Sequence, residues 1–105
     1  MVISKIDTFD EDEKKISEIA KALSHPVRVK ILKILSQNNV CQCGELVELL
    51  PLAQSTVSQH LKELKNSGLI QGDIDGPKVC YCINYQTLNQ AKEMYLNLFS
   101  GLKCC

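Results

Sequence analysis

Six cysteines stand in three close pairs, Cys41 with Cys43, Cys80 with Cys82 and Cys104 with Cys105, and they hold most of the reactive chemistry of this 105-residue chain. Thiolates are the preferred ligands of soft ions: three of them satisfy a trivalent arsenic or antimony centre, and four suit structural zinc. The same thiols can instead be oxidised or persulfidated, or can act as small apolar filler. Cys41 and Cys43 precede Gly44–Leu50, a short apolar segment that reads as a helix and whose N-terminus favours thiolate over thiol. Residues two apart in a formed helix do not face each other, so one ion gripped by both distorts that first turn. Cys80 and Cys82 fall on one face of an expected strand, where packing into its core side is preferred over clamping an ion. Cys104 and Cys105 lie on a tail, residues 100–105, able to reach another site. Catalysis finds no footing. The only arginine, Arg28, precedes every cysteine, so no cysteine-then-arginine oxyanion loop exists, and no glycine-rich phosphate loop is present. The chain is not expected to be an enzyme, and it calls for no obligatory cofactor.

A second kind of chemistry, hydrogen bonding to an external partner, is concentrated in Gln54–Asn66. At about 100° per residue, Val57, Leu61 and Leu64 share one side of a helix. Ser55, Ser58, Gln59, Lys62 and Asn66 fall on the other, His60 lies at the border as a phosphate-contacting or packing residue, and Gln54, Thr56 and Lys65 join Ser55, Ser58, Gln59 and Lys62 as candidate DNA contacts. Short donor-acceptor side chains near a helix N-terminus, followed by lysines, suit insertion into the DNA major groove, where base edges are flanked by phosphates. Periodicity alone favours an ordinary amphipathic helix with a polar surface. The surroundings decide. Gly44–Leu50, stopped by Pro51, makes a helix-turn-helix with the polar helix, the first bracing and the second reading. Ser67-Gly68 ends the second helix, and residues 69–74 and 78–83 read as two strands around Asp75-Gly76-Pro77. A hairpin directly after a reading helix is a wing, and it would bring Lys78 towards DNA.

Three ordered runs now resemble a known family. Ala22-Leu-Ser-His-Pro-Val-Arg-Val-Lys-Ile-Leu32, Gln54-Ser-Thr-Val-Ser-Gln-His-Leu-Lys-Glu-Leu64 and Ser67-Gly-Leu-Ile70 look like the successive signatures of the arsenic-repressor (ArsR/SmtB) family of winged-helix transcriptional repressors. The resemblance spans roughly residues 11 to 100. It implies a homodimer on double-stranded operator DNA, released when an inducer, often a thiophilic metal or metalloid, binds. The family's arsenic sensors carry a Cys-x-Cys-x-x-Cys run here; Cys41 and Cys43 match its first two positions and Leu46 occupies the third. The remaining sulfur must come from elsewhere, and Cys104 and Cys105 are preferred, because related sensors also place inducer cysteines at the C-terminus. Trivalent arsenic or antimony is the favoured inducer, with cadmium or zinc as further candidates. The family's other inducer site uses Asp and His on the last helix, and Tyr85–Leu102 holds neither. The rival within the same fold is a thiol redox or persulfide-responsive repressor; a third reading leaves all the cysteines structural.

The length fits a single domain over residues 1–105, with residues 1–10 as an N-terminal arm. Its class is mainly α with a small β-hairpin wing: a winged helix-turn-helix dimerising through its first and last helices. Glu11–Leu23 forms the first helix, with Ile16, Ile19, Ala20 and Leu23 apolar. Pro26 opens a second, apolar almost all round through Val27, Val29, Ile31, Leu32, Ile34 and Leu35. The stripe Leu88, Ala91, Tyr95, Leu98 and Leu102 on Thr87–Leu102 suits a two-helix seam, between chains or within one. Twelve basic and twelve acidic residues cancel, so overall charge does not favour DNA, yet Lys21, Arg28, Lys30 and Lys33 form a locally positive run. The acidic group Asp7, Asp10, Glu11, Asp12 and Glu13 reads as complement to a helix dipole. No membrane span and no leader are visible, so the expected compartment is the cytoplasm, where the six cysteines should be thiols.

Overall fold

Asp10 starts the first helix, α1 (Glu11–Ala22), by a reciprocal pair of bonds: its carboxylate accepts from the Glu13 N–H at 2.7 Å, and the Glu13 carboxylate accepts from the Asp10 N–H at 2.8 Å. The box satisfies two of the backbone donors that every helix start leaves over. Glu11, Asp12 and Glu13 occupy the positive end of the helix dipole and Lys21 the negative end, which accounts for the acidic run. The structure is a computed structural model that describes residues 8–38, 42–43, 50–73 and 80–104. Most of the arm, the brace segment 44–49, Cys41, the wing tip with Lys78, and Cys105 lie outside the described residues.

Pro26 takes the first position of α2 (Pro26–Asn38), where its missing N–H costs nothing. Ile31, Ile34 and Leu35 of this helix are buried, but Val29 is 42% exposed. The expectation of burial all round is therefore too broad: α2 has a core face and an open one. A two-residue strand, β1 (Gln42–Cys43), follows, too short for any hydrophobic period to announce it. Next come α3 (Gln54–Asn66), β2 (Ile70–Asp73), β3 (Cys80–Ile83) and α4 (Tyr85–Gly101). The last begins two residues before Thr87 because the Asn84 side chain caps it, accepting from the Thr87 N–H at 3.3 Å.

The strands form one antiparallel sheet in the order β1-β3-β2, with Cys43 opposite Cys80, and Ile70, Gln71 and Gly72 opposite Ile83, Cys82 and Tyr81. Side chains alternate across a strand, so Tyr81 and Ile83 point into the core and Cys80 and Cys82 take the half-buried outer face. This corrects the reading of the second cysteine pair as core filler. Gly72 lies where the strands touch: a Cβ there would stand 2.1 Å from the Cys80 carbonyl oxygen.

The core joins Ile19 and Ala22 of α1, Ile31 and Leu35 of α2, Val57, Leu61 and Leu64 of α3, Leu69, Ile70, Tyr81, Ile83, and Ala91 of α4. Across α1 and α4 the Tyr95 hydroxyl donates to the Ile16 carbonyl at 2.9 Å, and burial raises its pKa. The stripe on α4 is thus divided. Ala91 is buried and Leu88 and Tyr95 pack against the core within the chain, while Leu98 and Leu102 face outward with Leu96 and Phe99.

Candidate nucleic-acid interface

Along α3 the chain separates core from surface residue by residue. Val57, Leu61 and Leu64 are almost fully buried, each contributing about 1.5–3 kcal/mol of burial. Gln54, Ser55, Thr56, Gln59, Lys62 and Lys65 are exposed and Ser58 is half-buried, so α3 leaves these expected reading residues at the surface, away from its core side. The helix starts at Ala53, which offers no side-chain cap. Its first-turn N–H groups, beside the Gln54, Ser55 and Thr56 side chains, therefore remain suited to an anion such as a phosphate. At the other end Ser67 donates from its hydroxyl to the Leu64 carbonyl at 2.6 Å. Gly68 then turns at φ +86°, a conformation that glycine adopts without strain, and directs the chain into β2.

His60 takes the packing alternative of the two expected for it. It is buried, on the same side as Val57 and Leu64, and so does not lie among the exposed groups. Its Nδ1 accepts from Arg28 Nε at 3.1 Å, and its ring lies 4.4 Å from that of His25, centroid to centroid. Burial is the main cause of its lowered pKa, with the nearby His25 and Arg28 adding to it and Glu63 opposing. His25 accepts from the Val27 N–H through Nδ1 at 3.2 Å, at the start of α2. Arg28 was not expected to touch the reading helix: it is 32 positions away, and no local pattern links the two.

Among the cysteines, Cys82 and Cys104 carry free thiols, with Cys104 exposed. Cys80 is disulfide-bonded, which corrects the expectation that all six are thiols. Among the described residues, no three His, Cys, Asp or Glu side chains cluster as a metal site. Among them, too, no helix is long and apolar enough to cross a membrane.

A reading helix with a polar edge, backed by a three-stranded sheet and embedded in a helical core, defines the winged helix-turn-helix class. Residues 25–71 match the family described as bacterial regulatory protein, arsR family. The chain is 34% identical over 87 residues to the HTH-type transcriptional regulator YgaV of Escherichia coli, covering 83% of this chain and 88% of that one. It is 37% identical to the arsenical resistance operon repressor of Staphylococcus xylosus, over 72% of each chain. In fold it is similar to the crystal structure of M. tuberculosis Rv0081, with TM-score 0.58 and 24% identity over 88% of this chain and 96% of that one. The chain belongs to the arsR family of bacterial transcriptional regulators, and is a regulator rather than an enzyme.

Proposed function

We propose that the protein is a homodimeric repressor that reads double-stranded operator DNA with α3 and releases it when a thiophilic ion is captured by cysteine thiolates. The observation that carries the DNA reading is the open polar edge of α3 over the buried Val57, Leu61 and Leu64. Gln54, Ser55, Thr56, Ser58 and Gln59 would meet base edges and nearby phosphates, and Lys62, Lys65 and Lys78 the flanking backbone. Two such helices about one DNA turn apart read two half-sites, which is why a dimer is required. The outward-facing Leu96, Leu98, Phe99 and Leu102 at the end of α4 supply apolar surface for a second copy.

For the inducer, the donor set favours trivalent arsenic or antimony, with cadmium or zinc as weaker fits. Cys41 and Cys43 flank the entrance to the brace segment, and the exposed thiol of Cys104, with Cys105 beside it, is available to complete a three-sulfur set. The likeness to an arsenical resistance operon repressor supports this choice. Capture lowers operator affinity by linkage: an ion that binds better to the DNA-free conformation shifts the equilibrium towards it.

A second reading, a thiol redox or persulfide-responsive repressor, is favoured by one observation, the disulfide at Cys80. A titration of the reduced protein on its own promoter with arsenite, antimonite, cadmium, zinc, peroxide and a persulfide donor separates the two. Release by arsenite that is abolished in Cys41→Ser supports the metalloid reading. Release by peroxide or persulfide, with no response to arsenite, replaces it with the redox one.

A further inference from the structure

Three helices meet at one polar contact inside the otherwise apolar support of α3. Arg28, in the first turn of α2, donates from Nε to Nδ1 of His60 at 3.1 Å and from Nη1 to the Lys21 carbonyl, in the last turn of α1, at 3.2 Å. The guanidinium thus uses two edges of its planar fork, one for each neighbouring helix, a geometry that the single ammonium of a lysine does not reproduce. The partner atoms are determined as well. Arg28 Nε is always a donor, so His60 Nδ1 must be an unprotonated acceptor, and the ring carries its proton on Nε2. On the other side the His25 ring packs at 4.4 Å, its own Nδ1 occupied by the Val27 N–H.

Resting on the proposed reading of DNA by α3, we propose that Arg28 and His60 are positioning residues: their hydrogen bond sets the pitch of the reading helix on α1 and α2, and operator affinity depends on it without either residue touching DNA. His60 is buried on the side of α3 opposite the exposed edge, so what it controls is the angle of that edge. The apolar contacts of Val57, Leu61 and Leu64 hold α3 to the core but are non-directional, whereas one hydrogen bond 32 positions apart in the chain fixes a rotation. The charged and titratable groups acting on His60 are His25 and Arg28 from the start of α2 and Glu63 from α3 itself; α1 gives the Lys21 carbonyl to the shared guanidinium and carries Glu18 and Lys21 beside Glu63. A proton on Nδ1 turns the acceptor into a donor against a permanent cation, and the joint opens.

The test is fluorescence anisotropy of the reduced full chain on a labelled duplex of its own promoter, across salt and pH, with circular dichroism and sedimentation confirming a folded dimer. Arg28→Lys keeps the charge and loses the fork; affinity is expected to fall roughly tenfold or more, with the slope of log affinity against log salt unchanged. A slope smaller by about one would make Arg28 a phosphate contact and overturn the proposal. His60→Asn retains an acceptor near the Nδ1 position and is expected to bind within a few-fold of wild type, whereas His60→Leu loses affinity as Arg28→Lys does, and the double variant Arg28→Lys/His60→Leu loses no more than either. Wild-type affinity is expected to drop only as pH falls through the folded-state value of His60, which lies below the ordinary 6.5, and the Asn variant to lack that drop. An Asn variant with the wild-type pH profile, or a folded Leu variant with wild-type affinity, overturns the joint. If the wild type binds no promoter duplex at all, the DNA-reading function fails and the inference fails with it.

Discussion

At the scale of single residues, α3 divides its side chains into those that would read and those that hold. Gln59 is exposed and outside the core, so Gln59→Ala should cost about 1–3 kcal/mol of operator binding with an unchanged melting temperature, checked by anisotropy beside a thermal melt. Leu64 is fully buried, and Leu64→Ala should lower stability by about 2–5 kcal/mol, read from urea unfolding. His60 adds a pH dependence whose sign follows from its lowered pKa. The unfolded chain takes up a proton near 6.5 while the folded one resists until lower pH. Its contribution is therefore complete above 6.5 and is lost as pH falls through the depressed folded value. Thermal melts of wild type and His60→Asn should diverge only on the acid side.

At the scale of elements, the sheet and the caps determine where helices begin and which face each strand presents. The close approach at Gly72 leaves no room for a methyl group, because the Cys80 carbonyl occupies its place and the backbone turns at φ +129°. Gly72→Ala should destabilise by about 2 kcal/mol or more and weaken β2–β3 pairing, visible as faster amide exchange at Ile83. The same sheet explains the cysteines of β3. Tyr81 and Ile83 take the core face, so Cys80 and Cys82 fall by alternation on the half-buried outer one. At α1, loss of the Asp10 cap in Asp10→Ala should cost about 1 kcal/mol.

For the whole molecule, the apolar end of α4 is the feature that a single chain leaves incomplete. Phe99 and Leu102 are each 64% exposed, and burying such a patch against a second copy would gain what one 105-residue core lacks. If the proposed dimer forms through this patch, Phe99→Glu should sediment as a monomer where the wild type sediments as a dimer, and should weaken operator binding, with its helical signal intact. The zero net charge of the chain makes long-range attraction to DNA weak, so affinity must come from local placement of lysines and polar groups.

Much of this was legible in the residues themselves. The period of Val57, Leu61 and Leu64, the Ser67-Gly68 stop and the acidic first turn Glu11, Asp12 and Glu13 are local signals, and a helix obeys them because its hydrogen bonds connect near neighbours. Contacts between distant segments were not legible. The pairing of β1 with β3, which sets Cys80 across from Cys43, the inward turn of His60 onto Arg28, and the division of the α4 stripe between core and surface all depend on which segments meet in space. The amino-acid order alone determined the helices and the polar edge. Only the packing of those helices decided which polar residues face outward and which bind one another inside, because burial is a property of the assembled chain and not of any stretch of it.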